Sequence, residues 1–497
     1  MRSGGAGSSG SGGGASMPRL GLGFAVGAAA LLLAACSTTV SGAPVSVFAD
    51  PFKVAGMRAV DGPTGLREDV HRDGRAVSES DGGEIDELAG QSVADVEQFW
   101  EGAFPEAFDG RSFQPVDAVI SWDAEDYAGV FCGSDTYGLV NAAFCPIDNT
   151  IGWDRAVLLP ALRQVHGDMA ITMVLAHEYG HSVQQQARLN RRGTSTLVAE
   201  QQADCFSGAY MRWVAEDNSD RFTLSTGDGL NNLLAGMISF RDPLLSEDDY
   251  VYSADMDEHG SAFERISAFQ FGFTDGASAC AAIDAKEIAQ RRGELPVALQ
   301  QGETGEWPVT EQSVRSFVGA LNAKFTPAEP PRLAFAAEPA ACPDARPSPP
   351  ASYCPATNTI TVDLAGLAQM GSSPAEFDPA APLSGDNSAY SVLVSRYMMA
   401  LQHAHGGVAL DTAEAALRTA CLTGVATTML TQQVRTPEGD TIALTAGDLD
   451  EAVAGLLSNG LVASDVNGES VPAGFSRIDA FRTGVLGDQD RCLKRFP

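Results

Sequence analysis

The sequence predicts an α+β fold, richer in helix than in strand and laid out twice in tandem. Three observations predict it. Val93 to Trp100, Ala161 to Gln186 and Leu197 to Val214 carry apolar residues at helical spacing. Pro115 to Trp122 reads as a short strand, and the residues flanking Ile147-Asp148-Asn149 read as a hairpin. Long stretches of the second half repeat the first.

The chain begins with an address. Residues 1–16 are almost all Gly, Ser and Ala, which makes Met17 a plausible start. Arg19 and the apolar run Leu20 to Leu33 follow, too short to span a bilayer with ease but suited to the core of a signal peptide. The run ends in Leu33-Ala34-Ala35-Cys36, the pattern of a bacterial lipobox, so residues 1–36 are expected to be an export signal with Cys36 as the lipidation site. The expected location is the outer face of the cytoplasmic membrane, anchored through that lipid. Nine cysteines less Cys36 leave eight, and in an exported chain disulfides are expected. Residues 37–90, rich in Gly, Asp, Ser and Pro, read as a flexible stalk. Asp and Glu outnumber Lys and Arg 64 to 32, a formal charge of -32 that repels phosphate backbones and argues against nucleic acid as a partner.

The repeat sets the domain plan. Ala143 to Asp154 (AFCPIDNTIGWD) aligns with Ser352 to Asp363 (SYCPATNTITVD). Gly167 to Gln184 aligns with Gly385 to Gln402, and Phe263 to Cys280 aligns without a gap on Phe475 to Cys492. Cys132, Cys145, Cys205 and Cys280 fall in step with Cys342, Cys354, Cys421 and Cys492. Two copies of one domain are therefore expected, at 91–290 and 306–497, joined by a linker at 291–305. Each copy holds four cysteines, so bridges should close within a copy. Cys132–Cys145 and Cys342–Cys354 are the natural hairpin staples, and Cys205–Cys280 and Cys421–Cys492 follow by elimination, although the sequence alone leaves connectivity open.

The first copy carries the chemistry. His177-Glu178-Tyr179-Gly180-His181 is an HExxH motif in a chain with only seven histidines, which makes a chance match improbable. Residues 177 and 181 lie one turn apart on one helical face, so two imidazoles can reach a single Zn²⁺. Glu178 sits beside them as a candidate general base. A catalytic zinc needs a third ligand, and Glu200 in Glu200-Gln201-Gln202-Ala203-Asp204 is the best candidate. Asp204, four residues on, would accept the N–H of a ligating histidine. Tyr179 and Tyr210 fit a core role better, His166 a helix end, and the hairpin strand ending at Asp154 a peptide-binding edge.

HEYGHSVQ followed by EQQADCFSGAY resembles the bacterial neutral zinc metallopeptidase family, of gluzincin type and in its actinobacterial lipoprotein form. The resemblance runs from Cys132 to Cys280 and takes in Cys132-Gly133, Phe144-Cys145-Pro146, Asp154, Gly167-Asp168 and His259-Gly260-Ser261 with Arg265, Phe269 and Gly272. It implies a zincin-like fold, hydrolysis of a peptide or protein substrate, Glu200 as third ligand and His259 as a catalytic group near the oxyanion. Ser182 stands where the family often has a second histidine, and Ala281-Ala282 where it has Asp-Thr.

The second copy lacks these groups. Ser395, Arg396 and Met399 fall opposite His177, Glu178 and His181; Ala416 and Ala420 fall opposite Glu200 and Asp204; His259 lands near Val471. His403 and His405, two apart, cannot share a metal on one helical face. A pseudoenzyme domain is the expectation. The rival reading is a non-catalytic envelope scaffold whose zinc is structural, which a fourth protein ligand would favour.

Overall fold

A computed structural model describes residues 50–497, except 72, 127–128, 245–258, 301–302 and 374–382. The signal run, Met17, the lipidation site Cys36 and residues 37–49 of the expected stalk lie outside the described residues. Among the described residues no helix is long and apolar enough to cross a membrane.

The stalk expectation needs correction for its described part. Lys53–Val54 pairs with Met57–Arg58, and Gly65–Leu66 pairs antiparallel with Phe222–Thr223. Val54 is fully buried, and the Ser476 hydroxyl donates to the Lys53 carbonyl at 2.7 Å. Residues 50–83 are thus a strap laid over the folded body. Its two-residue strands are too short to leave a periodic signature in a Gly- and Asp-rich stretch.

Helix α1 (Glu84–Ala107) sends Leu88, Val93, Val96 and Trp100 inward, and Glu84, Asp86 and Glu87 in its first turn complement the helix dipole. A small sheet follows: β1 (Val77–Ser78), β2 (Ala118–Trp122), β3 (Ala142–Cys145) and β4 (Thr150–Asp154), in the order β1-β2-β4-β3. β3 lies at one edge of it and pairs antiparallel with β4, Phe144 opposite Ile151. The strand ending at Asp154, expected as a peptide-binding edge, is instead interior, paired on both sides, and the edge falls to β3. The helical run expected from Ala161 to Gln186 is two helices, α2 (Leu158–His166) and α3 (Asp168–Ala187). Gly167 breaks the run with φ of 81°, a conformation open to glycine. Along α3 the stripe Val174, Glu178, His181 and Gln185 is not fully buried, nor are Asp168 and Gln186 near its ends, while the rest of the helix is packed inside. α4 (Thr196–Ala215), α5 (Asp228–Ser239), α6 (Ala262–Asp275) and α7 (Ala285–Arg292) complete the first half.

The second half runs through α8 (Glu311–Phe325), β5 (Arg332–Phe335), β6 (Ala351–Cys354) and β7 (Thr359–Val362). Then come α9 (Asp386–His405), α10 (Ala413–Met429), α11 (Asp448–Ser458) and α12 (Gly474–Val485). β6 and β7 form a hairpin as β3 and β4 do. Disulfides join Cys132–Cys145, Cys205–Cys280, Cys342–Cys354 and Cys421–Cys492. The helix pairs α4/α6 and α10/α12 touch backbone to backbone. A Cβ on Gly272 would stand 1.7 Å from the Cys205 carbonyl oxygen, and one on Gly484 1.7 Å from that of Cys421. Residues 50–497 belong to one compact unit, so the two halves are not beads on a linker.

Four carboxylates, Glu306, Asp386, Asp448 and Glu451, gather where α9 and α11 begin. Burial, reinforced by its acidic neighbours, pushes Asp386 up to about 7 and Glu451 up to about 9, and raises Asp448. Acids raised in the folded state stabilise it fully only below their unfolded pKa values, and that stability is lost as pH rises through the folded ones. The melting midpoint, measured in EDTA, should therefore fall between pH 5 and pH 9. Glu451→Gln should raise it at pH 8 by about 2–5 °C. A midpoint flat across that range would remove the carboxylate strain.

Candidate metal centre

α3 and α4 cross at Gly180. A Cβ there would lie 2.9 Å from the Cα of Ala203, so glycine in the fourth place of the motif lets the two helices close up. The crossing brings His177 and His181 of α3 against Glu200 of α4. The Nε2 of His177 is 3.0 Å from Oε2 of Glu200, and the Nε2 of His181 is 3.4 Å from Oε1. One ligand atom from each of the three residues lies within 4.8 Å of the others.

Each ring is held from behind. His177 Nδ1–H donates to Oδ1 of Asp204 at 2.8 Å, and His181 Nδ1 is 3.1 Å from Oε1 of Gln184. With both Nδ1 atoms engaged, both Nε2 atoms face Glu200, the arrangement a divalent ion requires of two histidines. Asp204 is itself clamped: Arg265 donates to it through Nε at 2.9 Å and Nη2 at 2.8 Å, and through Nη1 to the Phe240 carbonyl at 2.6 Å. Burial works to lower His177 but loses to Asp204 and Glu200, which raise it to about 10. Burial would raise Glu200, yet its bonds to the two imidazoles hold it far below the usual carboxylate range. Two carboxylates around two imidazoles favour a positive charge at their centre, and the nitrogen and oxygen donors match zinc.

Glu178 lies partly buried beside the cluster, where burial raises its carboxyl. Its Oε2 accepts the N–H of Phe144, on the outer strand β3, at 3.0 Å. His259 comes to the same place from the loop before α6. Its Nε2 is 3.6 Å from Oε2 of Glu200, its Nδ1 is 3.5 Å from Oδ1 of Asp242, and its side chain is 40% exposed. Asp242 also accepts the backbone N–H groups of His259 and Gly260 at 3.1 and 2.7 Å.

His177, His181 and Glu200 therefore meet at one point, with Glu178, Asp204 and His259 beside them. Tyr179 and Tyr210 do not: their hydroxyls donate to Glu97 and Asp95 inside the body. His166 ends α2 beside Ser239. Sequence reasoning gave no role to Arg265 and missed Asp242 and Gln184. Arg265 carried one usable signal, its retention as Arg477 in the other half.

At the positions the internal alignment sets opposite, the second half is filled differently. Arg396, fully buried, donates through Nε to the Ala351 carbonyl at 2.8 Å and through Nη1 to the Ser464 hydroxyl at 2.9 Å. Met398 and Met399 are buried at the places of Gly180 and His181. Arg477 has no carboxylate where Arg265 has Asp204, and burial lowers it to about 10. His403 and His405 sit exposed at the end of α9.

The sequence profile of the family described as "Putative neutral zinc metallopeptidase" matches residues 1–283. Two curated relatives, from Escherichia coli strain K12 and Escherichia coli O6:H1, both carry the name "Uncharacterized protein YpfJ". Each is 27% identical over 205 residues, 37% of this chain. The chain spans 66% of the length of these relatives. No solved structure matches it.

Proposed function

The chain belongs to the putative neutral zinc metallopeptidase family, and from that premise we propose that it hydrolyses peptide bonds with a zinc ion held by His177, His181 and Glu200. The observation that carries the reading is the convergence of those three side chains beside a partly buried carboxylate that is not a ligand, Glu178. A zinc ion bound there supplies Lewis acidity toward a water molecule and the scissile carbonyl. Glu178 takes a proton from the attacking water and returns it to the leaving amine. Its raised pKa suits both halves of that task. Asp204, clamped by Arg265, fixes the tautomer and angle of His177. His259, steadied by Asp242, faces the carbonyl oxygen as charge gathers on it. The outer strand β3 offers an edge along which an extended peptide can lie.

The remaining parts of the reading concern place and architecture. Lipid anchoring at Cys36 on the outer face of the cytoplasmic membrane is supported by the lipobox and by four disulfides among the described residues. A tandem duplication with a second half lacking the metal site is supported by matching disulfides, matching hairpins and the buried Arg396. A second reading, a structural zinc in a binding lipoprotein, draws on the 3.6 Å between His259 and Glu200, which would allow a fourth ligand.

The test is direct. Treatment with 1,10-phenanthroline should abolish hydrolysis of an unfolded protein such as denatured casein, and about one zinc per chain should restore it. Zinc bound with no cleavage of any unfolded protein or peptide library would favour the structural reading.

A further inference from the structure

The two halves exchange helix caps. The N–H groups in the first turn of a helix have no partner within the helix. In α6 the Phe263 N–H donates to Oδ1 of Asp450, at 3.0 Å, and Asp450 lies on α11 of the other half. The Ala262 N–H also turns to this carboxylate. In α12 the Gly474 N–H donates to Oδ1 of Asn231, at 2.8 Å, and Asn231 lies on α5 of the first half. Asn231 and Asp450 each stand in the first turn of their helix, five residues before a glycine, Gly236 and Gly455. The exchange is reciprocal, but its consequences are not. The residue just before the cap of α6 is Gly260, preceded by His259, and Arg265 follows within the first turn. In the second half the positions opposite His177, His181 and Glu200 hold Ser395, Met399 and Ala416, and Arg477 has no carboxylate where Arg265 has Asp204.

We propose that the half without a metal site is a positioning element for the half that has one, acting through Asp450. This rests on the peptidase reading above. α6 delivers two groups to the centre from its first turn and the loop before it. Arg265 clamps Asp204 and through it His177, while His259 stands 3.6 Å from Glu200. Within the first half this terminus is held by the Ser261–Glu264 capping box and by Asp242. The two amides this leaves over, of Ala262 and Phe263, are closed by Asp450 from the other half. Asp450 is buried, and the Arg241 guanidinium stands 4.0 Å from its Oδ2. The rest of the interface seats α6 on α12: Gln270 donates to the Phe475 carbonyl at 3.0 Å, and Phe273 packs on Phe475 with centroids 5.0 Å apart. The duplicated half thus serves as a built-in partner. Loss of its metal ligands costs the enzyme nothing so long as α11 keeps its carboxylate.

The experiment uses the full chain with zinc bound, comparing wild type with Asp450→Ala, Asp450→Asn and Asn231→Ala. Hydrogen exchange across 259–266 is followed in each, together with zinc content, kcat and KM on denatured casein peptides. Asp450→Ala should exchange about tenfold faster in that segment, the size of one lost cap. It should keep its zinc and lose about tenfold in kcat/KM, carried by kcat. Asp450→Asn, which keeps an acceptor oxygen, should stay within about twofold of wild type, as should Asn231→Ala, which uncaps only α12. Should Asp450→Ala fail to fold, Asp450→Ser, too short to reach the Phe263 amide, carries the same expectation. Unchanged exchange in 259–266, unchanged kcat, or an equal loss in Asn231→Ala would overturn the proposal. If the wild type binds zinc and cleaves nothing, the peptidase reading falls, and the exchange comparison still decides whether Asp450 holds this segment.

Discussion

Glu178→Gln should leave zinc bound and lower hydrolysis about 10³-fold. The substitution keeps the shape of the side chain and the oxygen that accepts the Phe144 N–H, so neither the α3–α4 crossing nor β3 has reason to move. What it removes is basicity. A carboxyl whose pKa burial has raised can take a proton from water and give it to an amine near neutral pH, and an amide can do neither. General acid–base catalysis by one group contributes about 10²–10⁴, and the loss expected here is the middle of that range. Because zinc is retained, kcat should carry the loss while KM stays within a few-fold. Metal analysis beside steady-state kinetics checks it. Zinc-loaded Glu178→Gln working within tenfold of wild type would remove Glu178 from the mechanism.

How much of this could be read from the sequence depends on how the information is carried. His177 and His181, or Glu200 and Asp204, sit four residues apart on single helices, so their common face follows from helical geometry alone. That the two pairs meet follows from no local rule, and the family resemblance supplied it. Its physical basis is Gly180, where two backbones come together. Arg265 and Asp242 were given no role because they reach the centre from a helix and a loop further along the chain, and Asp450 because it acts through the start of α6. A buried Arg–carboxylate pair has no sequence spacing of its own. The strap at residues 50–83 escaped for another reason: its order comes from strand partners such as Phe222–Thr223. Apolar spacing ran one helix from Ala161 to Gln186 because α2 and α3 continue one pattern across Gly167, and only the reading of His166 as a helix end marked the break. The repeat did more than local pattern could. It separated residues that serve folding, such as the glycines at the α4–α6 and α10–α12 contacts, from those present once.

Glu200→Ala should abolish the stabilisation that zinc gives the chain, and it tests the ligand set without reference to any substrate. Glu200 is the sole carboxylate among the three converging ligands, and it neutralises charge as well as donating a bond. Losing one of three protein ligands should weaken zinc binding by at least about 10³-fold, well beyond the 10–100-fold typical of a partner such as Asp204 that touches only the ligand. At a free zinc concentration about 1,000 times the wild-type dissociation constant, binding stabilises the folded chain by about 4 kcal/mol. In the variant the same concentration only matches the weakened constant, leaving about 0.4 kcal/mol. Melting with and without zinc separates the two cases, because the comparison is made within each protein and any change in the metal-free midpoint cancels. An unreduced zinc shift in Glu200→Ala would mean another group completes the site. His259 is the residue placed to do so, and Glu200→Ala combined with His259→Ala would then have to lose the shift. A shift lost on Glu200→Ala but kept on His259→Ala leaves three protein ligands and an open position, the coordination hydrolysis needs.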